Sequence, residues 1–213
     1  MFVNKRLNGY DQYIMNDKID KTNFRDLESL NPIDVISRTG CEYDSKSRQY
    51  RIKIWGNLYC VDLKKYDVSP KGPGLKTYHD YLCLFILYFL MKSSPVPPQG
   101  KWVSEKDIKG GAAFFRGPHT LPTDWISQRF ENDIHAFRHT CEKLGGIPLA
   151  LADAAFLFQI TPTVPVAVLY WLGDEDFSCE TKLLFDITIE RQLPLDIIFA
   201  LAVEVCHSVS ARF

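Results

Sequence analysis

Between Asp80 and Lys92 lie eleven residues, 81–91, that read Tyr-Leu-Cys-Leu-Phe-Ile-Leu-Tyr-Phe-Leu-Met without a single charge. A helix with no polar side has to be covered on every face, so the rest of the chain must wrap around it. Eleven residues fall well short of the roughly 20 that span a hydrocarbon core. The segment is therefore read as part of a buried helix over residues 78–92, and no membrane insertion is expected. A chain of 213 residues, 46% of them hydrophobic, can bury such a helix in one sizeable core.

Strand periodicity lies on both sides of that helix. Upstream, Asn31-Pro32 opens a helical pattern in which Ile33 and Ile36 stand three apart on one face, and Gly40 ends it. Over residues 43–63 the pattern alternates: Tyr50, Ile52 and Ile54 share one face, Gly56-Asn57 makes a turn, and Leu58, Cys60 and Asp62 follow. This predicts an antiparallel meander with Asp44-Ser45-Lys46-Ser47 as its first turn. Pro70, Gly72, Pro73 and Gly74 predict a loop over residues 67–76.

Downstream, the Ser-Ser-Pro-Val-Pro-Pro break at 93–98 is too short to require a domain boundary. A helical region runs from Pro122 to Leu144, with Phe130, Ile134, Phe137, Cys141 and Leu144 at helical spacing and Gly145-Gly146 as its stop. Strands are predicted at 155–160, 164–172 and 181–187, and a closing apolar helix over 194–209. Two groups of strands separated by helices define an α+β fold. Antiparallel sheet elements, an N-terminal meander and the C-terminal strands, pack with several helices in a single domain over residues 1–213 that includes a polar helical N-terminal segment of about 1–39.

The 25 Lys and Arg against 26 Asp and Glu leave a net charge of −1, so the basic field that drives binding to a phosphate backbone is missing and no nucleic-acid partner is expected. Six cysteines, at 41, 60, 83, 141, 179 and 206, stand at least 19 residues apart and form no C-x-x-C pair for a metal or redox centre. The opening Met-Phe-Val-Asn-Lys-Arg has neither the apolar core nor the cleavage site of a signal peptide. Together these predict a reduced, cytoplasmic protein, for which a homodimer is the commonest arrangement.

No standard nucleotide motif is present. Pro95 stands where a phosphate loop ending in Gly100-Lys101 needs its first glycine, and Thr77 replaces the third glycine of a dinucleotide fingerprint after Gly72 and Gly74. The most unusual segment runs from Gly100-Lys101-Trp102 through Gly110-Gly111-Ala-Ala-Phe-Phe-Arg116-Gly117-Pro-His119 to Thr120-Leu121-Pro122. Glycines let backbone N–H groups approach a ligand and form an anion-binding nest. Lys101, Lys109, Arg116 and His119 add charge, so the segment is a candidate pocket for a carboxylate or phosphate ester. Lys101, Gly110, Gly111, Arg116, Gly117 and His119 line it in this reading, with Arg116 as the bidentate anchor. The plainer reading has the glycines shape a loop, Phe114 and Phe115 plug it into the core, and Arg116 and His119 pair with nearby carboxylates.

His119 is the candidate catalytic acid or base because imidazole titrates near neutrality, although no partner group is identifiable from spacing. Asp174 and Asp176, with Glu175, are candidate oxygen ligands for a hard cation, and a charged tight turn has the same sequence. His135 and His139 stand four apart on one helix, as two metal ligands do, but flank an apolar stripe and read better as a solvated face. No cofactor is identifiable.

The pieces Thr39-Gly40-Cys41-Glu42-Tyr43, Gly100-Lys101-Trp102, Gly110-Gly111 with Phe114-Phe115, Leu144-Gly145-Gly146, Val164-Pro165-Val166, 171–177 (Trp-Leu-Gly-Asp-Glu-Asp-Phe) and Leu184-Phe185-Asp186 occur in one order. That ordered set resembles the domain-of-unknown-function family 3786, uncharacterised proteins found mainly in anaerobic bacteria and archaea. The pieces cover about residues 30–207, and the 171–177 cluster is the most specific. Some relatives resemble this domain fused to a cysteine-rich module that binds a four-iron–four-sulfur cluster, which implies work near redox or cofactor chemistry. The cysteine spacing here supports no such cluster, and the family supplies no catalytic residues to carry over. The functional expectation is a cytoplasmic protein that binds a small anionic ligand or a cofactor-related partner where the 110–119 loop meets the acidic turn at 174–176. The alternatives are a cation-assisted hydrolase, in which Asp174 and Asp176 hold the metal, Arg116 binds the substrate and His119 transfers protons, and a non-catalytic protein interaction module.

Overall fold

The structure, a computed structural model, describes residues 19–72 and 80–211. Expectations for residues 1–18, and for the loop residues Pro73 and Gly74, lie outside that range. Two short helices lead in, α1 (Lys21–Glu28) and α2 (Pro32–Thr39), each with a side-chain cap: Asp20 accepts from the Thr22 N–H and Asn31 from the Ile33 N–H. The core face of α2 is Val35 and Thr39, while Ile33 is 73% exposed. An i, i+4 pair therefore carries the contact that the Ile33/Ile36 spacing pointed to. Gly40 closes α2 in the left-handed conformation at φ 68°, which glycine adopts without a Cβ clash.

The predicted meander is a four-stranded antiparallel sheet, β1 (Glu42–Asp44), β2 (Gln49–Ile54), β3 (Asn57–Asp62) and β4 (Asp67–Lys71), paired in chain order. Tyr50, Ile52 and Ile54 are buried and Arg51 and Lys53 exposed, as the alternation requires. The β2–β3 turn is Trp55-Gly56, one residue earlier than expected, with both residues at positive φ (48° and 75°) as a two-residue type I′ turn demands. Residues 67–71, expected as loop, are strand: β4 is an edge, where Pro70 is tolerated.

The apolar run forms α3 (Asp80–Lys92), whose Leu82, Cys83, Phe85, Ile86, Leu87, Phe89, Leu90 and Met91 are buried. It packs along a second apolar helix, α7 (Leu195–Ser210), which begins at Pro194. Between them in sequence come β5 (Trp102–Val103), α4 (Gly111–Phe114), α5 (Asp124–Phe130), α6 (Ile134–Lys143), β6 (Ile147–Leu149), β7 (Ala154–Thr161), β8 (Val164–Trp171) and β9 (Glu180–Asp186). The strands make a five-stranded antiparallel sheet in the order β5-β9-β8-β7-β6.

The helical region at 122–144 is two helices, not one. Glu131 turns to φ 48°, and the Asp133 side chain accepts from the Ala136 N–H to start α6 afresh. Phe130 still meets Phe137, ring centroids 5.6 Å apart, which is why the apolar spacing reads as continuous.

Both sheets and most helices share one core. Val166, Val168 and Tyr170 of β8 face it, whereas Ala167, Leu169 and Trp171 lie on the sheet's other face with half-buried Trp102, Leu149 and Leu184. The sheets touch at the Trp55 turn, where the Trp55 N–H donates to the Ile160 carbonyl at 2.8 Å. An α+β single-domain fold results. Among the described residues no helix is long and apolar enough to cross a membrane.

Candidate functional site

The 99–123 segment is ordered by specific anchors. Asp186, 2% exposed, accepts from the Gln99 and Gly100 N–H groups and from the Thr188 N–H and hydroxyl. Burial by itself raises a carboxyl pKa, but these donors outweigh it and hold Asp186 below the ordinary aspartate value. The Lys101 carbonyl accepts from the Ile187 N–H at 2.8 Å, which leaves β5 paired to the end of β9 and the Lys101 side chain exposed.

Further along, the Lys109 N–H donates to Glu190 Oε1 at 2.6 Å and Gly110 takes φ 79° ahead of α4. A Cβ on Gly111 would collide with the Glu105 carbonyl oxygen, so Gly111 serves a close backbone approach and Gly110 a positive φ. Phe115 is buried and Phe114 packs against the core, as the plainer reading of this loop expects. His119 is half-buried, its ring stacked on Phe114 at 4.4 Å and edge-on to Phe199 at 5.4 Å. The imidazole is thus part of an aromatic cluster with Phe114 and Phe199.

Arg116 behaves differently. It is exposed and, among the described residues, forms no ion pair. With Gly117 it lines a cavity of about 550 Å³ whose opposite strand is β9. Because β5 pairs only with Phe185 and Asp186, residues 180–183 of β9 have no strand beyond them on that edge among the described residues. Alternation along β9 buries Thr181 and Leu183 and leaves Glu180 and Lys182 exposed. The Thr181 hydroxyl, in a residue 3% exposed, has no hydrogen-bond partner although its residue lines the cavity. Lys182 reaches Glu180 at 3.1 Å and lies 5.4 Å from the Trp171 ring centroid. Lys106, Arg116 and Lys182 against Glu105 and Glu180 give the lining one excess positive charge.

Of the sequence candidates, this cavity brings in Arg116 and Gly117. Lys101, Gly110, Gly111 and His119 are not in its wall, and neither are Asp174 and Asp176. Asp174 Oδ1 accepts from the Asp176 and Phe177 N–H groups at 2.9 and 2.8 Å, the side-chain bonding of a tight turn. His135 and His139 are both exposed on α6, and no three His, Cys, Asp or Glu side chains among the described residues converge as a metal site. Sequence reasoning missed Lys106, Thr181 and Lys182. The period of two in 180–185 carried a signal for the last two, but nothing local shows that β5 stops short of them.

Comparison with proteins of curated function and with solved structures finds no match. A family model described as Domain of unknown function (DUF3786) matches residues 31–208, from the start of α2 almost to the end of α7. That span takes in both sheets, the shared core and the Arg116 cavity, and the chain belongs to the DUF3786 family.

Proposed function

We propose that the protein binds a small anionic molecule in the cavity between Arg116 and the open edge of β9. The observation that carries this reading is that Arg116, which forms no ion pair among the described residues, and Thr181, whose hydroxyl finds no hydrogen-bond partner among them, line the same cavity, which has one excess positive charge. A guanidinium binds a carboxylate or phosphate through two parallel N–H bonds, and a buried hydroxyl without a partner favours a ligand that accepts from it. Lys182 and Glu180 largely neutralise each other, so the site suits a compact anion rather than a polyanion. Six free cysteines, five of them buried, support a reducing, cytoplasmic setting. The test is titration of inorganic phosphate and acetate into the isotope-labelled protein. Saturable shifts of the Thr181 and Gly117 amides that disappear in Arg116→Ala support the reading, and flat titrations in the wild type refute it.

A second reading, a protein interaction surface, rests on the outer face of the five-stranded sheet. Trp102, Leu149, Trp171 and Leu184 are half-buried there in a small apolar cluster apart from the main core, and Phe177 in the adjoining loop is 74% exposed. Sedimentation of wild type and Phe177→Ser measures it: a dimer weakened by the substitution favours this surface as a homodimer contact.

A further inference from the structure

A second cavity, about 450 Å³, lies where the Trp55-Gly56 turn meets the C-terminal half of α7. Trp55 and Tyr59 contribute aromatic wall, Leu201 apolar floor, and Lys143 an exposed ammonium. Among the described residues the one acid in its lining is Glu204, which interrupts the apolar run of α7 while being only 9% exposed. Ser208, one turn along, donates to Glu204 Oε1 at 3.0 Å. Glu204 Oε2 is buried with no hydrogen-bond partner.

A carboxyl in this position costs free energy that an alanine or leucine would not, and leaving one oxygen unsatisfied adds to the cost. No ion pair joins Glu204 to Lys143 among the described residues, so the cavity holds a counter-charge that the protein itself does not use. An anion is disfavoured beside it. A cation gains both the carboxylate and the aromatic lining that Trp55 and Tyr59 supply. The volume, within the range of small-molecule pockets, accepts one ring or a short aliphatic chain.

We infer that this cavity is a binding site for a small organic amine, with Glu204 as the counter-ion of its ammonium group. Among the described residues, Tyr59 from β3, Cys83 from α3, Lys143 from the end of α6 and His207 on α7 are further titratable groups around Glu204. Burial pushes Tyr59 up to about 12 and Cys83 up as well, lowers His207 to about 4, and raises Glu204 to about 7. Of the groups so shifted, Glu204 is the one that changes charge between pH 6 and 8. Binding an ammonium ion draws the proton off Glu204, so affinity rises with pH and levels off above 7.

The experiment uses benzylammonium as the probe on the intact isotope-labelled protein, following the Trp55 indole N–H resonance, with benzyl alcohol and benzoate alongside. The expected result is saturable binding of benzylammonium alone, about tenfold tighter at pH 8 than at pH 6. It weakens at least about tenfold in Glu204→Gln and is unchanged in Arg116→Ala, which separates this site from the anion cavity. Equal affinity in Glu204→Gln, equal binding of benzyl alcohol, or no saturable shift overturns the proposal. The wild-type pH profile tests it without any variant, and a profile that is flat or falls with pH overturns it too.

Discussion

The Trp55 indole N–H donates to the Leu144 carbonyl at 3.0 Å, joining residues 89 apart in the chain. The same ring packs on Phe158 at 4.8 Å, and the Trp55 backbone N–H reaches Ile160 in β7. One residue thus ties the four-stranded sheet to the five-stranded sheet and to the end of α6. Its position at φ 48° is unfavourable for a bulky side chain, and these contacts hold it there. Trp55→Phe keeps the aromatic packing and removes the donor, so it should destabilise the fold by about 1 kcal/mol in urea unfolding. An unchanged midpoint would mean that the bond contributes nothing.

Glycines 111 and 117 are required for different reasons. Around Gly117 there is open space but φ is 56°, so Gly117→Ala should cost only about 1 kcal/mol of backbone strain. At Gly111 the new methyl meets the Glu105 carbonyl oxygen, and the backbone has to move. Gly111→Ala should cost about 3 kcal/mol and shift the Arg116 loop resonances. Thermal unfolding of the two variants checks the order, which reverses if the close approach is unimportant.

Asp186 fixes the start of the same segment, and its folded pKa lies below the ordinary value. A depressed carboxyl contributes stability above its unfolded pKa of about 3.9 and loses it as pH falls through the folded value. Chemical denaturation between pH 2 and 7 should therefore show stability falling below about pH 4. Asp186→Asn should be about 2 kcal/mol less stable at pH 7 and flatter in the acid range. Parallel pH curves for the two proteins would contradict this account.

Glu204 has the opposite sign. Burial raises it to about 7, so the folded state holds its proton longer than the unfolded state and stability declines as pH climbs from about 4.5 to 7. Glu204→Gln removes that decline and should be up to about 3 kcal/mol more stable than wild type at pH 8. Unfolding curves at pH 5 and pH 8 measure the difference, and a variant less stable at both pH values contradicts it.

What the sequence made legible follows local pattern. Tyr50, Ile52 and Ile54 alternate because one face of β2 is buried, Gly40 stops α2 because it alone takes φ 68° cheaply, and α3 is apolar because it is covered on most faces. Relationships set by tertiary contact stayed hidden. The two-residue β5 is a strand only because Asp186 and Ile187 hold the residues that lead into it, and Val35 rather than Ile33 faces the core because of how α2 sits on α3. The candidate loop was visible through its glycines, and Arg116 with it. Lys106, Thr181 and Lys182 join Arg116 only through folding, and Glu204 reads as the second of two acids in an apolar helix until Trp55 and Tyr59 share a cavity with it.

The central claim is that the Arg116 cavity holds a small anion. Native mass spectrometry of gently purified wild type and Arg116→Ala, followed by denaturing extraction, tests it most directly because it presumes no ligand identity. The account predicts an adduct of one small anionic molecule per chain on the wild type that is absent from Arg116→Ala. An adduct held equally by both proteins, or bare chain mass in both, would contradict it.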